Sequence, residues 1–331
     1  MTAAMGLAGD RSFFLRKSKQ QTNMNLNLSS QIVLNQVSEE FYNPKTAVDR
    51  SEITRNEKIL TDIFPKVDEG AAAIANAIVK EIKDKQQLGK YCVLGLGTGQ
   101  SLTPVYDELI RIHREQKVSF RNVVVFNAYE YFPLKADSAI SSIHQLRERF
   151  LSKVDIPEQN VFSPDGSIAQ DEVQQLCRLY EERIQSFGGI DIMLLGIGRI
   201  GNIATNEPGS GINTRSRLIL IDATSREEMT MSFGGQEAVP PCSITLGIAN
   251  ILAARKIYLT AWGEEKADII RQTVEGSVSE AFPASMGRDA KPTASPAIVV
   301  TASATDSAAA ISPVFILHFL LVIPAQSTKR K

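Results

Sequence analysis

The sequence predicts an α/β fold, a three-layer, doubly wound and mostly parallel sheet, and two observations predict it. Short apolar runs recur through residues 91–262, and helical stretches lie between them. The runs are continuous rather than alternating, as in strands covered by helices on both faces.

The elements follow in order. From Asp68 to Gln87, Ile74, Ile78 and Ile82 recur every four positions and mark one helix face. Tyr91–Leu96 (YCVLGL) is the first strand-like run, and a Gly/Thr loop follows it. Thr103-Pro104 predicts a helix start, with Thr as N-cap and Pro at the first helical position. Further runs are Asn122–Phe126, Asp191–Ile197, Arg217–Ile221 and Lys256–Trp262. Helices are predicted across Gln170–Gln185, Ser243–Arg255 and Glu264–Val274. In such folds ligands bind beyond the carboxyl ends of the strands, so chemistry is sought in the loops after the runs.

Composition narrows the function classes. The chain has 331 residues, 43% hydrophobic and 22% charged, enough to bury a core without staples. Net charge is −1, so no global field recruits nucleic acid or an anionic membrane. Cys92, Cys177 and Cys242 form no CxxC or disulfide framework, which points to a reducing compartment. His113, His144 and His318 lie too far apart to suggest a metal site. A secreted mini-protein, a disordered chain and a nucleic-acid module are excluded. A cytoplasmic α/β protein remains, most often an enzyme.

The ends differ from the middle. Residues 1–25 carry Arg11, Arg16, Lys17 and Lys19 against Asp10, and read as a disordered tail or a transit-like presequence. Met24 offers a second start. Residues 286–312 are rich in Ala, Ser, Thr and Pro, with no sustained helix or strand period. Val314–Ile323 is a ten-residue apolar run. A bilayer-spanning helix needs about 20, so the run reads as a buried strand or a mis-specified tail before it reads as an anchor.

Three strand-end loops carry the functional signal. Gly95-Leu96-Gly97-Thr98-Gly99-Gln100-Ser101 precedes a helix, where glycines admit a ligand to the backbone and free N–H groups favour an anion. It is either a phosphate cradle or a tight turn that needs Gly, and it matches neither a Walker A loop nor GxGxxG. Asn127-Ala128-Tyr129-Glu130-Tyr131 places a carboxylate just past a run, either as an acid or base or as a solvated loop residue. The segment 196–210 combines Gly-rich chain with Asn202, Asn206 and Glu207. Lys266, after the run ending at Trp262, is either a phosphate partner or surface charge.

In combination these stretches resemble the glucosamine-6-phosphate deaminase/isomerase family. LGLGTGQS, VSFRNVVVFNAYEY, VDIPEQN, LCRLYEERIQSFGGIDIMLLGIGRIGNIATNEP, SITLGIANILAARKIYL and WGEEKA run in family order from about Lys58 to Val274. The resemblance is greatest to a variant branch of long proteins, in which this domain precedes a deacetylase-like one. It implies a Rossmann-like, sugar-phosphate isomerase type of sheet. It also implies conversion of glucosamine 6-phosphate and water to fructose 6-phosphate and ammonia, with no metal or organic cofactor.

By the same resemblance, Thr98, Gly99, Gln100, Ser101 and Lys266 would bind the phosphate, and Glu207 matches the acidic member of the ring-opening group. The family's proton-shuttling Asp is Tyr129 here, its ring-opening His is Asn202, and the Asp two residues before that His is Ile200. A second phosphate-binding Arg aligns with Met231, and Arg226 lies nearby as a substitute. Ser210 and Arg217 match effector-binding positions, whereas Ile219 replaces a Lys.

Asn cannot take a proton near neutral pH, and Tyr, with an unperturbed pKa of about 10, is a poor base. Glu130 and Glu207 are the carboxylates left to act, Glu130 as the C2 base. Three readings stay open: a deaminase of reduced activity, a sugar-phosphate-binding or regulatory domain without turnover, and another reaction such as lactone hydrolysis or aldose–ketose isomerisation. The resemblance also implies a homo-oligomer, without membrane or nucleic-acid partners. The expected layout is an extension at 1–50, the family-like domain at 51–285, and an atypical, truncated or frame-shifted tail at 286–331.

Overall fold

The computed structural model describes residues 66–289 continuously, with Thr46, Val48, Ser51, Ile59, Thr61–Phe64 and Val299–Ser303. The predicted helix and strand at the start of the family-like region form as α1 (Val67–Gln87) and β2 (Cys92–Leu96). The other predicted central runs become β3 (Val123–Asn127), β6 (Ile192–Gly196) and β9 (Lys256–Thr260). With β1 (Thr61–Phe64), β5 (Val161–Phe162) and β10 (Val299–Ser303) they make a seven-stranded sheet in the order β1-β10-β9-β6-β2-β3-β5. Every pairing in that sheet is parallel. The fold is the mostly parallel α/β sheet that the sequence predicts.

The continuous apolar runs are explained by two cores. Cys92, Leu94, Val123, Val125 and Leu194 face one side, where Ile74, Ile78 and Ile82 of α1 pack with Val105, Leu109 and Ile112 of α2 (Thr103–Gln116). Val93, Val124, Phe126, Met193, Leu195 and Leu259 face the other side. There they meet Tyr180 and Ile184 of α4 (Val173–Ser186) and Ile270 and Val274 of α7 (Ala267–Glu275). Strand side chains alternate between faces, so a strand with apolar neighbours on both sides needs apolar residues at every position.

Several details differ from the sequence expectation. Helix α2 is preceded by a single tight turn at Gln100–Leu102, so Leu102 rather than Thr103 takes the N-cap position. Arg217–Ile221 does not join the parallel sheet. Its strand, β7 (Arg217–Leu220), is the edge of a second, antiparallel sheet of order β4-β8-β7, with β4 at Tyr129–Phe132 and β8 at Cys242–Thr245. An edge strand meets water on one side, and Leu220 is 73% exposed. The first part of the predicted helix Ser243–Arg255 is strand β8, and only Ile248–Leu252 (α6) is helical. Pairing on both sides, to β4 and β7, overrides its local preference. Strand β10 lies between β1 and β9, so the sheet extends into the segment expected to be tail. Residues 1–45 and the run Val314–Ile323 fall outside the described residues.

Candidate active site

The sheet grows in one direction from β2 to β3 and β5, and in the other from β6 to β9. The chain therefore parts between β2 and β6, and a crevice forms beyond their carboxyl ends. A cavity of about 560 Å³ opens there. Its walls come from the loops after β2, β6 and β9, from Tyr129 and Tyr131 of β4, from Gln145 and Arg149 of α3 (Ser142–Arg149), and from Glu228, Met229 and Phe233 of α5 (Ala223–Phe233). Of the residues predicted from sequence, Thr98, Gly99, Gln100, Ser101, Tyr129, Asn202 and Lys266 meet in this cavity.

The loop after β2 is anchored through its carbonyls. Tyr106 Oη donates to Gly97 O at 2.5 Å, Arg149 Nη1 to Thr98 O at 2.6 Å, and Trp262 Nε1 to Ser101 O at 2.5 Å. The turn at Gln100–Leu102 then begins a helix, whose first N–H groups lack intrahelical acceptors. Lys266 faces the same cavity and donates to Ile197 O at 3.2 Å. The arrangement presents amides, hydroxyls and cations to one space, a setting suited to a phosphate.

Tyr129 Oη lies 2.7 Å from Thr98 Oγ1. Burial raises the Tyr129 phenol above its ordinary range, against a lowering contribution from the Thr98 hydrogen bond. Tyr129 is therefore protonated at neutral pH and acts as a hydrogen-bonding hydroxyl, not as a base.

Glu130 is not in the cavity. It points the other way along β4, is 1% exposed, and its carboxylate accepts from Tyr131 N, Ser141 Oγ, Ser142 N and Ile143 N at 2.8–3.0 Å. Three of those donors belong to the start of α3 or its N-cap. The expectation of Glu130 as a C2 base is corrected: neighbouring strand residues face opposite sides, and its oxygens are committed to a helix N-terminus.

The loop after β6 folds back on itself. Gly198 N donates to Asn202 O at 3.0 Å, and a Cβ on Gly198 would lie 1.9 Å from Asn202 Oδ1, so only glycine lets the Asn202 side chain cross there. Ala204, also on the cavity wall, has φ 50°, a left-handed conformation that costs a non-glycine residue about 1 kcal/mol or more. Asn202 Oδ1 is buried without a hydrogen-bond partner.

Glu207 lies behind that wall rather than on it. Its Oε2 accepts from Ser225 Oγ at 2.9 Å, while Oε1 is buried and unpartnered. Burial pushes this carboxyl up to about 7, opposed by the Ser225 hydrogen bond and reinforced by Asp222 and Glu228. Arg226 is also absent from the cavity: its guanidinium donates to Gln236 O and Val239 O at 3.4 Å. Met231 is 91% exposed and does not line this cavity.

Residues 65–295 match the family described as glucosamine-6-phosphate isomerases/6-phosphogluconolactonase. This chain belongs to that family. A protein of Bacteroides thetaiotaomicron named putative glucosamine-6-phosphate deaminase-like is 55% identical over 262 residues, 79% of this chain. The chain spans only 40% of that relative's length. Glucosamine-6-phosphate deaminase 1 of Bacillus subtilis is 35% identical over 222 residues, 67% of this chain and 88% of its own. A solved structure of a monomeric glucosamine-6-phosphate deaminase superposes with a TM-score of 0.68 at 32% identity, covering 76% of this chain and 99% of its own. A 6-phosphogluconolactonase from Trypanosoma brucei shares the fold, with a TM-score of 0.58 at 21% identity over 76% of this chain and 98% of its own.

Within the glucosamine-6-phosphate isomerase/6-phosphogluconolactonase family fold, sequence reasoning missed Arg149, Tyr131, Gln145 and Glu228. Arg149 and Arg147 stand two apart on one short helix, with nothing local to separate them. Arg147 pairs with Glu158 at 2.6 Å on the surface, whereas Arg149 reaches the cavity. Only the packing of α3 against the loop after β2 distinguishes them.

Proposed function

We propose that this chain binds an amino-sugar 6-phosphate, with glucosamine 6-phosphate as the reference ligand, and deaminates it only slowly. One observation carries this reading. The cavity joins the phosphate-type loop and Lys266, while Glu130 and Glu207, the carboxylates expected to act as bases, stay off its surface. Lys266 and the Thr98–Ser101 backbone hold the phosphate. The Thr98 and Tyr129 hydroxyls, 2.7 Å apart, bind polar groups of the sugar. Removing a positioned base costs about 10²–10⁴ in rate. Spontaneous ring opening supplies the open-chain sugar.

The test combines thermal unfolding with a coupled ammonia-release assay on the full chain. Glucosamine 6-phosphate is expected to raise the Tm, and ammonia release to run about 10²–10⁴ below that of a relative carrying the His and Asp. No rise in Tm would reject binding. Turnover at the relative's rate would reject the slow chemistry, and rapid hydrolysis of 6-phosphogluconolactone would replace this reading with the family's other activity.

A role in amino-sugar catabolism, a cytoplasmic setting and a homo-oligomeric state belong to the same proposal, on the family resemblance. Among the described residues no helix is long and apolar enough to cross a membrane. The 32%-identical solved relative is described as monomeric, so sedimentation of this chain is the measurement that checks self-association.

A further inference from the structure

The cavity wall carries two basic side chains, Arg149 and Lys266. Elsewhere the charges at the sheet's flanks are neutralised. Lys85 and Arg255 both reach Asp191, Lys256 reaches Glu81, and Arg215 reaches Glu181, all at 2.6–2.9 Å. Arg149 and Lys266 have no carboxylate partner among the described residues, and their hydrogen bonds go to the carbonyls of Thr98 and Ile197. A carbonyl orients a cation without cancelling its charge. A guanidinium has five N–H donors, so the single bond to Thr98 leaves most of the fork open to a second acceptor.

The family-type second cation is missing from its expected place. Met231 is exposed on α5, and Arg226 is held by carbonyls away from the cavity. Arg149 comes from α3 and is tied to the same loop that carries Thr98 to Ser101. A dianionic phosphate is bound most firmly where at least two cations converge with backbone amides.

We infer that Arg149 is the second phosphate-binding cation of this cavity, acting with Lys266. The inference rests on the phosphate-site reading above and adds the residue that completes it. Arg149 is also a positioning residue for the loop, through Thr98 O, and the test separates the two roles.

Calorimetric titration of the full chain uses inorganic phosphate and glucosamine 6-phosphate as probes. Arg149→Gln removes the charge and, two bonds shorter than arginine, also the bond to Thr98 O, whereas Arg149→Lys keeps a cation at the cavity and is expected to bind phosphate more tightly than Arg149→Gln. Both Arg149→Gln and Lys266→Gln are expected to weaken phosphate binding about 10- to 100-fold. Arg147→Gln, on the same helix but paired to Glu158 at the surface, is expected to bind as the unsubstituted chain does. Unchanged affinity in Arg149→Gln would overturn the inference. A readout on the unsubstituted protein covers the case of a misfolded variant. Inorganic phosphate is expected to protect Arg149 from phenylglyoxal, read by peptide mass, while Arg147 reacts as before; equal labelling of Arg149 with and without phosphate would overturn the assignment. Protection by phosphate without any binding of glucosamine 6-phosphate would sustain Arg149 and reject the amino-sugar reading alone.

Discussion

Glu207 shows how much a single missing neighbour changes at the residue scale. It is 4% exposed, holds one hydrogen bond from Ser225 and leaves Oε1 without a partner. Its carboxyl stands at about 7 in the folded chain, whereas an unfolded Glu titrates at about 4.3. The folded state therefore holds a proton that the unfolded state has released, and stability falls as pH rises between those two values. Glu207→Gln stays neutral and retains an oxygen for Ser225. Its stability relative to the unsubstituted protein is expected to improve by about 1–3 kcal/mol from pH 5 to pH 8. Urea unfolding at both pH values measures this, and a difference that does not change with pH would refute it. The type and position of Glu207 were legible in Asn206-Glu207-Pro208. Its seclusion behind the wall was not, because it depends on Ser225, Asp222 and Glu228 arriving from another element.

At the element scale the same limit decides Glu130. A carboxylate flanked by two tyrosines reads equally well as a base or as a surface residue. The deciding fact is that the chain turns back after β4 and sets the start of α3 against the Glu130 carboxylate. Four donors converge on two oxygens. Glu130→Gln would turn an NH₂ group toward two of them, so a loss of about 2–4 kcal/mol in unfolding free energy is expected. Phosphate affinity per folded molecule should be preserved, because Glu130 does not line the cavity. A stable Glu130→Gln variant with normal unfolding and no turnover would instead restore it as a base. Elements whose partners are nearby or uniform were legible: the every-fourth Ile spacing gave away α1, and the continuous runs marked the strands buried in the parallel sheet. Strands β4, β7 and β8 were misread because their second, antiparallel sheet joins segments distant in the chain. Their local sequences carry little of that information.

At the scale of the whole molecule, strand order makes the segment after residue 285 consequential. In the order β1-β10-β9, strand β1 pairs among the described residues only with β10, and β10 bridges it to β9. The composition of 286–312 does not advertise a strand, since Ala, Ser, Thr and Pro dominate it, yet Val299–Ser303 supplies five residues to the sheet. Its place is set by one parallel neighbour on each side, a global property that no local period reports. A chain ending at Ser303 keeps this strand, and a chain ending at Asp289 loses it. Without β10, β1 has no sheet neighbour and β9 becomes an unprotected edge. Such edges expose unpaired N–H and C=O groups and promote association. The shorter chain is expected to unfold at lower urea concentration and to aggregate more, measured by urea denaturation and light scattering at matched concentrations. The cavity lies at the β2/β6 parting, on the other side of β9, so inorganic phosphate should still raise the Tm of whatever fraction folds. Equal urea midpoints for the two chains would show that β10 contributes nothing to the sheet, and loss of the phosphate response in folded protein would show that the edge strands help shape the site.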